Sequence, residues 1–124
     1  MNEKTPDQLT ANMLRMELYV VITTPARSSE IKKLLPDHLD YQVRLEREGK
    51  LFGAGPFTEE GDTIPSGGMI ILRAKSFEEA RVIADADPFH AAGLRTYTIR
   101  KWMMNEGGMT VNLRYSDQSF VLVE

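Results

Sequence analysis

Short runs of β-branched and aromatic residues alternate along the chain with longer stretches whose apolar residues recur every three or four positions. The first pattern is typical of strands when glycine or proline bounds it, and the second is typical of amphipathic helices. The predicted strands are residues 16–23, 51–57, 69–74 and 95–104. The predicted helices are residues 28–48 and 76–84, followed by a short helix that begins at Pro88. Two further short strands are predicted at residues 111–115 and 119–123.

The order strand, helix, strand, strand, helix, strand predicts an α+β fold of the ferredoxin-like βαββαβ type. Both helices must then cover one face of a four-stranded sheet. The other face, with residues such as Ile99 or Trp102, would be open to water. Because an apolar patch of that size usually marks an interface, we expect a homodimer in which sheet faces meet.

The longest helical pattern places His38 on its apolar stripe. The other residues of this stripe are Ile31, Leu34, Tyr41 and Leu45. Pro36 interrupts the pattern, so the helix should break there or restart, since proline has no backbone N–H. A histidine on such a stripe is most often a core residue that bonds a backbone carbonyl. It can also be an acid or a base, because an imidazole titrates near about pH 6.5.

Residues 85–93 bring three ionisable side chains together between the second helix and the last strand. Pro88 suits the first position of a helix, and Gly93 suits the position just past its end. Asp87 is then an N-cap whose carboxylate accepts backbone N–H groups. It can also face a second group, for which His38 is the best candidate. His90 is either a competing base or a surface residue, and the spacing leaves these alternatives open.

Composition narrows the class of protein. The chain has 124 residues, with 15 basic and 18 acidic side chains mixed along it, and no cysteine. Disulfides, thiolate metal sites and cysteine nucleophiles are therefore excluded. A basic stripe of the kind that binds nucleic acid is not seen, and no apolar run approaches the roughly 20 residues of a membrane span. We expect a cytoplasmic protein with a small-molecule partner, and the polar N-terminus is unlike a signal peptide.

The predicted organisation is a polar arm at residues 1–13, one domain at 14–104 and a C-terminal extension at 105–124. Within the second strand, Gly53 and Gly55 suggest either a bulge or the close approach of a ligand. A metal site built from His38, Asp87 and His90 is a minor alternative, since three such ligands can hold zinc. We expect no metal and no organic cofactor.

Four motifs carry a resemblance to a known family. They are His38-Leu39-x-Tyr41, the pattern GKLFxAGPF at 49–57, GMII at 68–71 and the pattern ADADPFxxAG at 84–93. Over about residues 16–104 the chain resembles the YciI-like (YCII-related) family. The resemblance implies a dimeric α+β barrel and a pocket with a histidine–aspartate pair, at His38 and Asp87 here. One family member is similar to a dehydrochlorinase of a chlorinated hydroquinone, and relatives of the barrel include lactone isomerases.

The resemblance implies acid–base chemistry on a small ring compound, with His38 as the acid or base and Asp87 orienting it. A lyase-type dehydrochlorinase of a (chloro)hydroxyhydroquinone, or a related isomerase in aromatic degradation, is the expected activity. The expected substrate-binding residues are Tyr41, Gly53, Gly55, Pro56, Phe57, Phe89, His90 and Trp102. The alternative is a non-catalytic module that binds a small ligand or regulates a partner.

Overall fold

The structure is a computed structural model that describes residues 3–25 and 29–124. Its helices are α1 (Pro6–Thr10), α2 (Ile31–Arg47), α3 (Phe77–Asp85) and α4 (Pro88–Ala91). Its strands are β1 (Met16–Pro25), β2 (Leu51–Pro56), β3 (Gly68–Leu72), β4 (Arg95–Met104), β5 (Thr110–Arg114) and β6 (Ser119–Val123). The chain divides into two compact units, one of Glu17–Met103 and the other of Met1–Met16 with Met104–Glu124. The domain boundaries expected from the sequence remain a prediction.

The larger unit is built on a four-stranded sheet in the order β2-β3-β1-β4. Strand β3 runs antiparallel to both of its neighbours, and it pairs Ile70 with Val21 and Leu72 with Tyr19 of β1. With a helix after β1 and another after β3, this is the arrangement of a ferredoxin-like fold. The fold class predicted from the sequence is confirmed.

The core lies between this sheet and the helices α2 and α3. Its buried members are Tyr19, Val21, Ile70 and Leu72 from the sheet, Tyr41 and Leu45 from α2, and Ala80, Ile83 and Ala84 from α3. Burying a leucine, valine or isoleucine side chain completely contributes about 1.5–3 kcal/mol. The apolar residues that recur every two positions along the strands and every three or four positions along the helices therefore pack together in one layer.

Strand β4 turns Ile99 toward the helices, which corrects the expectation that this residue lies on the open face. Tyr97 and Ile99 both pack against the core. Side chains alternate along a strand, so Trp102 lies on the opposite face, where it is 40% exposed. Of the two residues that were expected on the sheet face away from the helices, only Trp102 lies there.

Helix α2 runs through Pro36 without a break, contrary to the expected interruption. The missing N–H would have bonded the carbonyl of Lys32, and both residues are exposed. Water can therefore take the place of the lost hydrogen bond, and the helix continues because its apolar face stays packed. The helix ends before Gly49, whose φ of 76° is the left-handed conformation that suits glycine. The predicted start at Ser28 lies outside the described residues.

The smaller unit contains α1 and the β5–β6 hairpin. The sequence interpretation assigned no helix to the arm, but Thr5 and Gln8 cap one reciprocally at its N-terminus. Strands β5 and β6 pair in the register Val111 with Leu122 and Leu113 with Phe120, close to the predicted strands. Those four apolar side chains are exposed in the single chain. Because these strands are apolar, we expect the hairpin to pack on the body of the protein or on a partner subunit, and this stays a prediction.

Candidate active site

The side chains of His38 and Asp87 are joined by a hydrogen bond. Nδ1 of His38 lies 2.9 Å from Oδ1 and 2.8 Å from Oδ2 of Asp87. Asp87 is 1% exposed and His38 is 13% exposed. His38 comes from the middle of α2, whereas Asp87 immediately precedes α4. The packing of α2 against the loop between α3 and α4 thus brings together two residues that are 49 positions apart.

Asp87 serves as a helix cap at the same time. Its Oδ1 accepts the backbone N–H of Phe89 at 2.9 Å, and its Oδ2 accepts Nε2 of Gln42 at 2.8 Å. The backbone of Asp87 is extended, as an N-cap residue requires, and Pro88 begins the helix. Asp87 is therefore both a helix cap and the partner of His38, the two interpretations that the sequence left open, because one carboxylate makes both sets of contacts.

These contacts keep Asp87 ionised. Burial alone would raise the pKa of this carboxyl, but the hydrogen bond and charge of His38 and the N–H of Phe89 together lower the pKa below its ordinary value. An ionised carboxylate can only accept hydrogen bonds. When the imidazole of His38 is neutral, its proton must therefore lie on Nδ1, and Nε2 carries the free lone pair.

His38 lines a cleft of about 860 Å³ between α2 and β2. Volumes of roughly 300–1,000 Å³ are typical of small-molecule sites. The cleft is mostly apolar, and its apolar lining from α2, β2 and the loop that follows includes Ile31, Leu35, Leu39, Val43, Phe52, Ile64 and Pro65. Since Nδ1 faces Asp87, Nε2 is the ring nitrogen of His38 that a molecule in this cleft can reach.

Phe89 forms the inner wall of the cleft beside His38. Its ring is 1% exposed, and it stacks on the imidazole with a centroid distance of 4.2 Å and an interplanar angle of 18°. The guanidinium carbon of Arg95 lies 4.5 Å from the centroid of the same ring. The ring of Phe89 therefore fixes the plane of the imidazole. It also holds the positively charged guanidinium of Arg95 close to its own face.

The glycines of β2 mark both a bulge and the cleft wall. The pairing of β2 with β3 shifts register between Leu51 and Gly53, and Gly53, Gly55 and Pro56 line the cleft. A Cβ at Gly53 or Gly55 would meet no atom within 4 Å. At Gly68 a Cβ would lie 2.9 Å from the carbonyl oxygen of Gly55, so glycine there allows the two strands to approach.

Besides the exposed Lys32 and Glu46 at the cleft, three polar residues that are buried or partly buried were not identified from the sequence: Thr23, Gln42 and Arg95. All three line the cleft. Gln42 follows His38 by four positions, a spacing that places both on one helix face, so helical periodicity could have found it. Arg95 shares its strand face with Tyr97 and Ile99, and only the strand alternation hinted at it.

Four of the expected substrate-binding residues lie outside the cleft. Tyr41 is in the core, where its hydroxyl donates to the carbonyl of Ile83 at 2.7 Å. Nδ1 of His90 bonds the carbonyl of Ala84 at 2.7 Å, and its ring packs against Tyr97. Phe57 follows the end of β2, and Trp102 lies on the sheet face opposite the helices. The hydrogen bond to Ile83 keeps Tyr41 in the core, and strand alternation places Trp102 on the face away from His38.

Across residues 3–25 and 29–124, no three histidine or acidic side chains cluster closely enough to hold a metal ion. The group of His38, Asp87 and His90 that the sequence suggested is not assembled, and Nδ1 of His90 is instead bonded to the carbonyl of Ala84. In the same residues, no helix has both the length and the apolar character needed to cross a membrane.

Comparison with solved structures identifies a protein of similar fold. The chain is similar to 5-chloro-2-hydroxyhydroquinone dehydrochlorinase (TftG) from Burkholderia phenoliruptrix, solved in complex with 2,5-dihydroxybenzoquinone. The TM-score is 0.55 at 22% sequence identity, and the match covers 68% of this chain and 92% of that one. At this identity the likeness shows the fold alone.

Sequence comparisons give closer relatives. The uncharacterized protein YjpA of Bacillus subtilis is 35% identical over 69 residues, which cover 56% of this chain and 75% of that protein. The YciI proteins of Escherichia coli and Shigella flexneri are 36% identical over 84 residues, covering 62% of this chain and 86% of each. The family described as a YCII-related domain matches residues 16–103, well over half of the chain. The chain therefore belongs to the YCII-related family.

Proposed function

We propose that this protein is a cofactor-independent enzyme that uses His38 and Asp87 to move protons on a small ring compound. The reaction we favour is loss of HCl from a (chloro)hydroxyhydroquinone, with a related isomerisation in aromatic degradation as the nearest variant. The observation that carries the proposal is the imidazole whose Nδ1 is bonded to a buried carboxylate while its Nε2 is left to an apolar cleft.

His38 is the proposed acid and base. Its Nε2 takes a proton from a ring hydroxyl, and the imidazolium that forms is stabilised by the negative charge of Asp87. A proton transfer of this kind typically contributes about 10²–10⁴-fold to a rate. Asp87 does not need to exchange a proton, since its hydrogen bonds and the lowered pKa keep it ionised. It holds the ring orientation and the tautomer.

Loss of HCl needs no oxidant and no metal. A hydroxyl proton of the hydroquinone is first moved to the ring carbon that carries chlorine. A second ring hydroxyl then loses its proton, and chloride leaves with the electron pair of the C–Cl bond. The product is a hydroxyquinone, and one H⁺ and one Cl⁻ are released for each ring. A single base beside the ring can carry both proton movements in turn.

The substrate class rests on two kinds of support. The fold neighbour is named for dehydrochlorination of a hydroxyhydroquinone and was solved with a quinone. In this chain, the imidazole of His38 borders the cleft, and the buried ring of Phe89 that stacks on it fixes its plane. The mostly apolar lining suits an aromatic compound better than a sugar or a peptide.

A non-catalytic binding module is the second candidate. The cleft extends along α2 well past His38, as far as Glu46, and its apolar length is more than one ring requires. Such a module would bind ring compounds in the cleft and return them unchanged. Binding without turnover is therefore the feature that separates the two functions.

The experiment is to incubate the protein with substituted hydroquinones, catechols and lactones, including 5-chloro-2-hydroxyhydroquinone. Released chloride and the quinone absorption are followed, and binding is measured by calorimetry on the same samples. Chloride release in proportion to quinone supports the enzyme. Tight binding of the panel with no chemical change, together with no effect of His38→Gln on that binding, contradicts it and favours the module.

We also propose that the protein is a homodimer. The sheet face opposite the helices carries apolar side chains at alternating positions of three strands. They are Val20, Ile22, Met69, Ile71 and Trp102. Ile71 is buried, Val20, Ile22 and Met69 are partly buried, and Trp102 is 40% exposed in the single chain. An apolar sheet face opposite the helices is typical of an interface.

A further inference from the structure

Arg95 places a positive charge at the inner end of the cleft without a carboxylate bonded to it. Among the described residues, its polar contact is a long one of 3.5 Å from Nη1 to Oγ1 of Thr23, and Nε is buried with no hydrogen-bond partner. The ion pairs of the described chain do not include it. A partly buried cation with donors to spare is costly unless something else binds it.

Asp87 is close enough to influence Arg95 but does not neutralise it through contact. Burial lowers the pKa of Arg95, and the negative charge of Asp87 acts in the opposite direction. The two oxygens of Asp87 are already occupied by His38, Gln42 and the N–H of Phe89. The free donors of Arg95 are therefore left for another acceptor, and Arg95 lines the cleft in which that acceptor would lie.

Arg95 and His38 approach the same ring of Phe89, with distances of 4.5 Å and 4.2 Å to its centroid. Both residues line the cleft, so a ring compound that spans this part of it can present one substituent to Nε2 of His38 and another to the guanidinium. When His38 takes a proton from a hydroxyl, the compound keeps a negative oxygen. Asp87 then balances the imidazolium, and Arg95 is placed to balance the oxygen.

From this arrangement we infer that Arg95 is a specificity-determining residue that binds an oxyanion of the substrate. The substrate class is narrowed to ring compounds whose hydroxyl is acidic, so that they are anionic at neutral pH or become so when His38 removes a proton. The choice of class rests on the proposed function, whereas the anion preference of the cleft does not require turnover. A planar guanidinium can present two parallel N–H donors to one oxyanion, whereas the ammonium of lysine is a point charge without this fixed geometry.

The test compares two probes with the same ring. 2,5-Dihydroxybenzoquinone is an acid that is anionic at neutral pH, and 2,5-dimethoxybenzoquinone is its neutral ether. Calorimetry measures the Kd of each with the full chain. We expect the wild type to prefer the anion by about tenfold or more, as hydrogen bonds to a charged group allow. Arg95→Gln should bring the preference close to one, and Arg95→Lys should lower it at least about threefold.

The control variant is Arg100→Gln, which removes an exposed arginine of the same strand from the opposite sheet face and should leave the preference unchanged. Thermal melting checks that each variant is folded. If Arg95→Gln does not fold, Arg95→Lys decides, and an unchanged preference overturns the inference. A wild type that binds the ether as tightly as the acid, or that binds neither at millimolar concentration, also overturns it.

The outcome is separable from that of the proposed function. If the protein turns over no compound but its anion preference is lost in Arg95→Gln, this inference stands and the proposed enzymatic function fails. If the protein releases chloride but its preference for the anionic probe is unaffected by substitution of Arg95, the proposed enzymatic function stands and this inference fails.

Discussion

Nδ1 of His38 is shared between both carboxylate oxygens of Asp87, at 2.9 and 2.8 Å. The same two oxygens cap α4 and receive the side-chain amide of Gln42. The catalytic hypothesis and the structural role of Asp87 therefore cannot be separated by deleting the side chain. They can be separated by changes that alter its charge and its hydrogen-bonding pattern.

Asp87→Asn is the first such change. Asparagine caps helices about as well as aspartate, so we expect the protein to fold with a slightly lower melting temperature. The amide has a single acceptor oxygen and an NH₂ that would face Nδ1 of His38, which favours the tautomer with its proton on Nε2. The proposed activity should fall about 10²-fold or more. Rates with the reactive compound and ¹⁵N spectra of the imidazole measure both effects, and an unchanged rate in a folded variant would leave Asp87 a cap only.

Stability in acid should depend on Asp87. The pKa of its carboxyl is lower in the folded protein than in the unfolded chain, so the folded state binds fewer protons. This contribution is complete above the unfolded value of about 4 and is lost as the pH falls through the lowered folded value. We expect the free energy of unfolding in urea to differ between wild type and Asp87→Asn near neutral pH, and the difference to shrink below about pH 4. A difference that grows in acid would contradict this sign.

Tyr97 should titrate abnormally in base. Burial, together with its hydrogen bond to the carboxylate of Asp85 and the charge of that group, raises the pKa of Tyr97 to about 12. Because the folded pKa is the higher one, the stabilisation is present below the unfolded value of about 10 and is lost as pH rises through the folded value. Ultraviolet titration of wild type and Tyr97→Phe isolates this group. Titration of Tyr97 at the ordinary tyrosine value of about 10 would contradict the assignment.

Assembly is tested through Trp102. A charge at this position, as in Trp102→Glu, places an unpaired carboxylate on the sheet face that we propose is covered by a second copy. Sedimentation at micromolar concentration should show a dimer for the wild type and a 14.0 kDa monomer for the variant. Val82→Glu is the control, because Val82 is 65% exposed on α3 and lies on the helix side. A wild type that is already monomeric contradicts the proposal.

The local sequence pattern was enough to predict the four-stranded sheet, the helices α2, α3 and α4, and the fold, but not α1. It placed His38 on a buried stripe and Asp87 at a helix start, since these are properties of local sequence. Their contact depends on the packing of α2 against the start of α4. The sequence spacing left this contact open, and the family resemblance implied it. Arg95 was missed for the same physical reason: its position beside Phe89 depends on β4 lying next to β1, which no local pattern encodes.

Errors in the sequence interpretation also have local causes. Tyr41 and His90 were expected to contact the substrate, and the structure places both outside the cleft. Tyr41 shares the apolar stripe with His38, but its hydroxyl donates to the carbonyl of Ile83 in α3, which keeps the side chain in the core. Pro36 was expected to break α2, but its loss of one hydrogen bond falls on the exposed side, where water compensates.

The measurement that tests the central claim most directly is the initial rate of chloride release by wild type, His38→Gln and His90→Gln. The matched histidine at position 90 lies outside the cleft, so its variant should release chloride at the wild-type rate if it is folded. His38→Gln should remain folded and bind 2,5-dihydroxybenzoquinone, yet its rate should fall about 10²–10⁴-fold. A folded His38→Gln protein that releases chloride as fast as the wild type would show that the pair of His38 and Asp87 is not the acid–base centre.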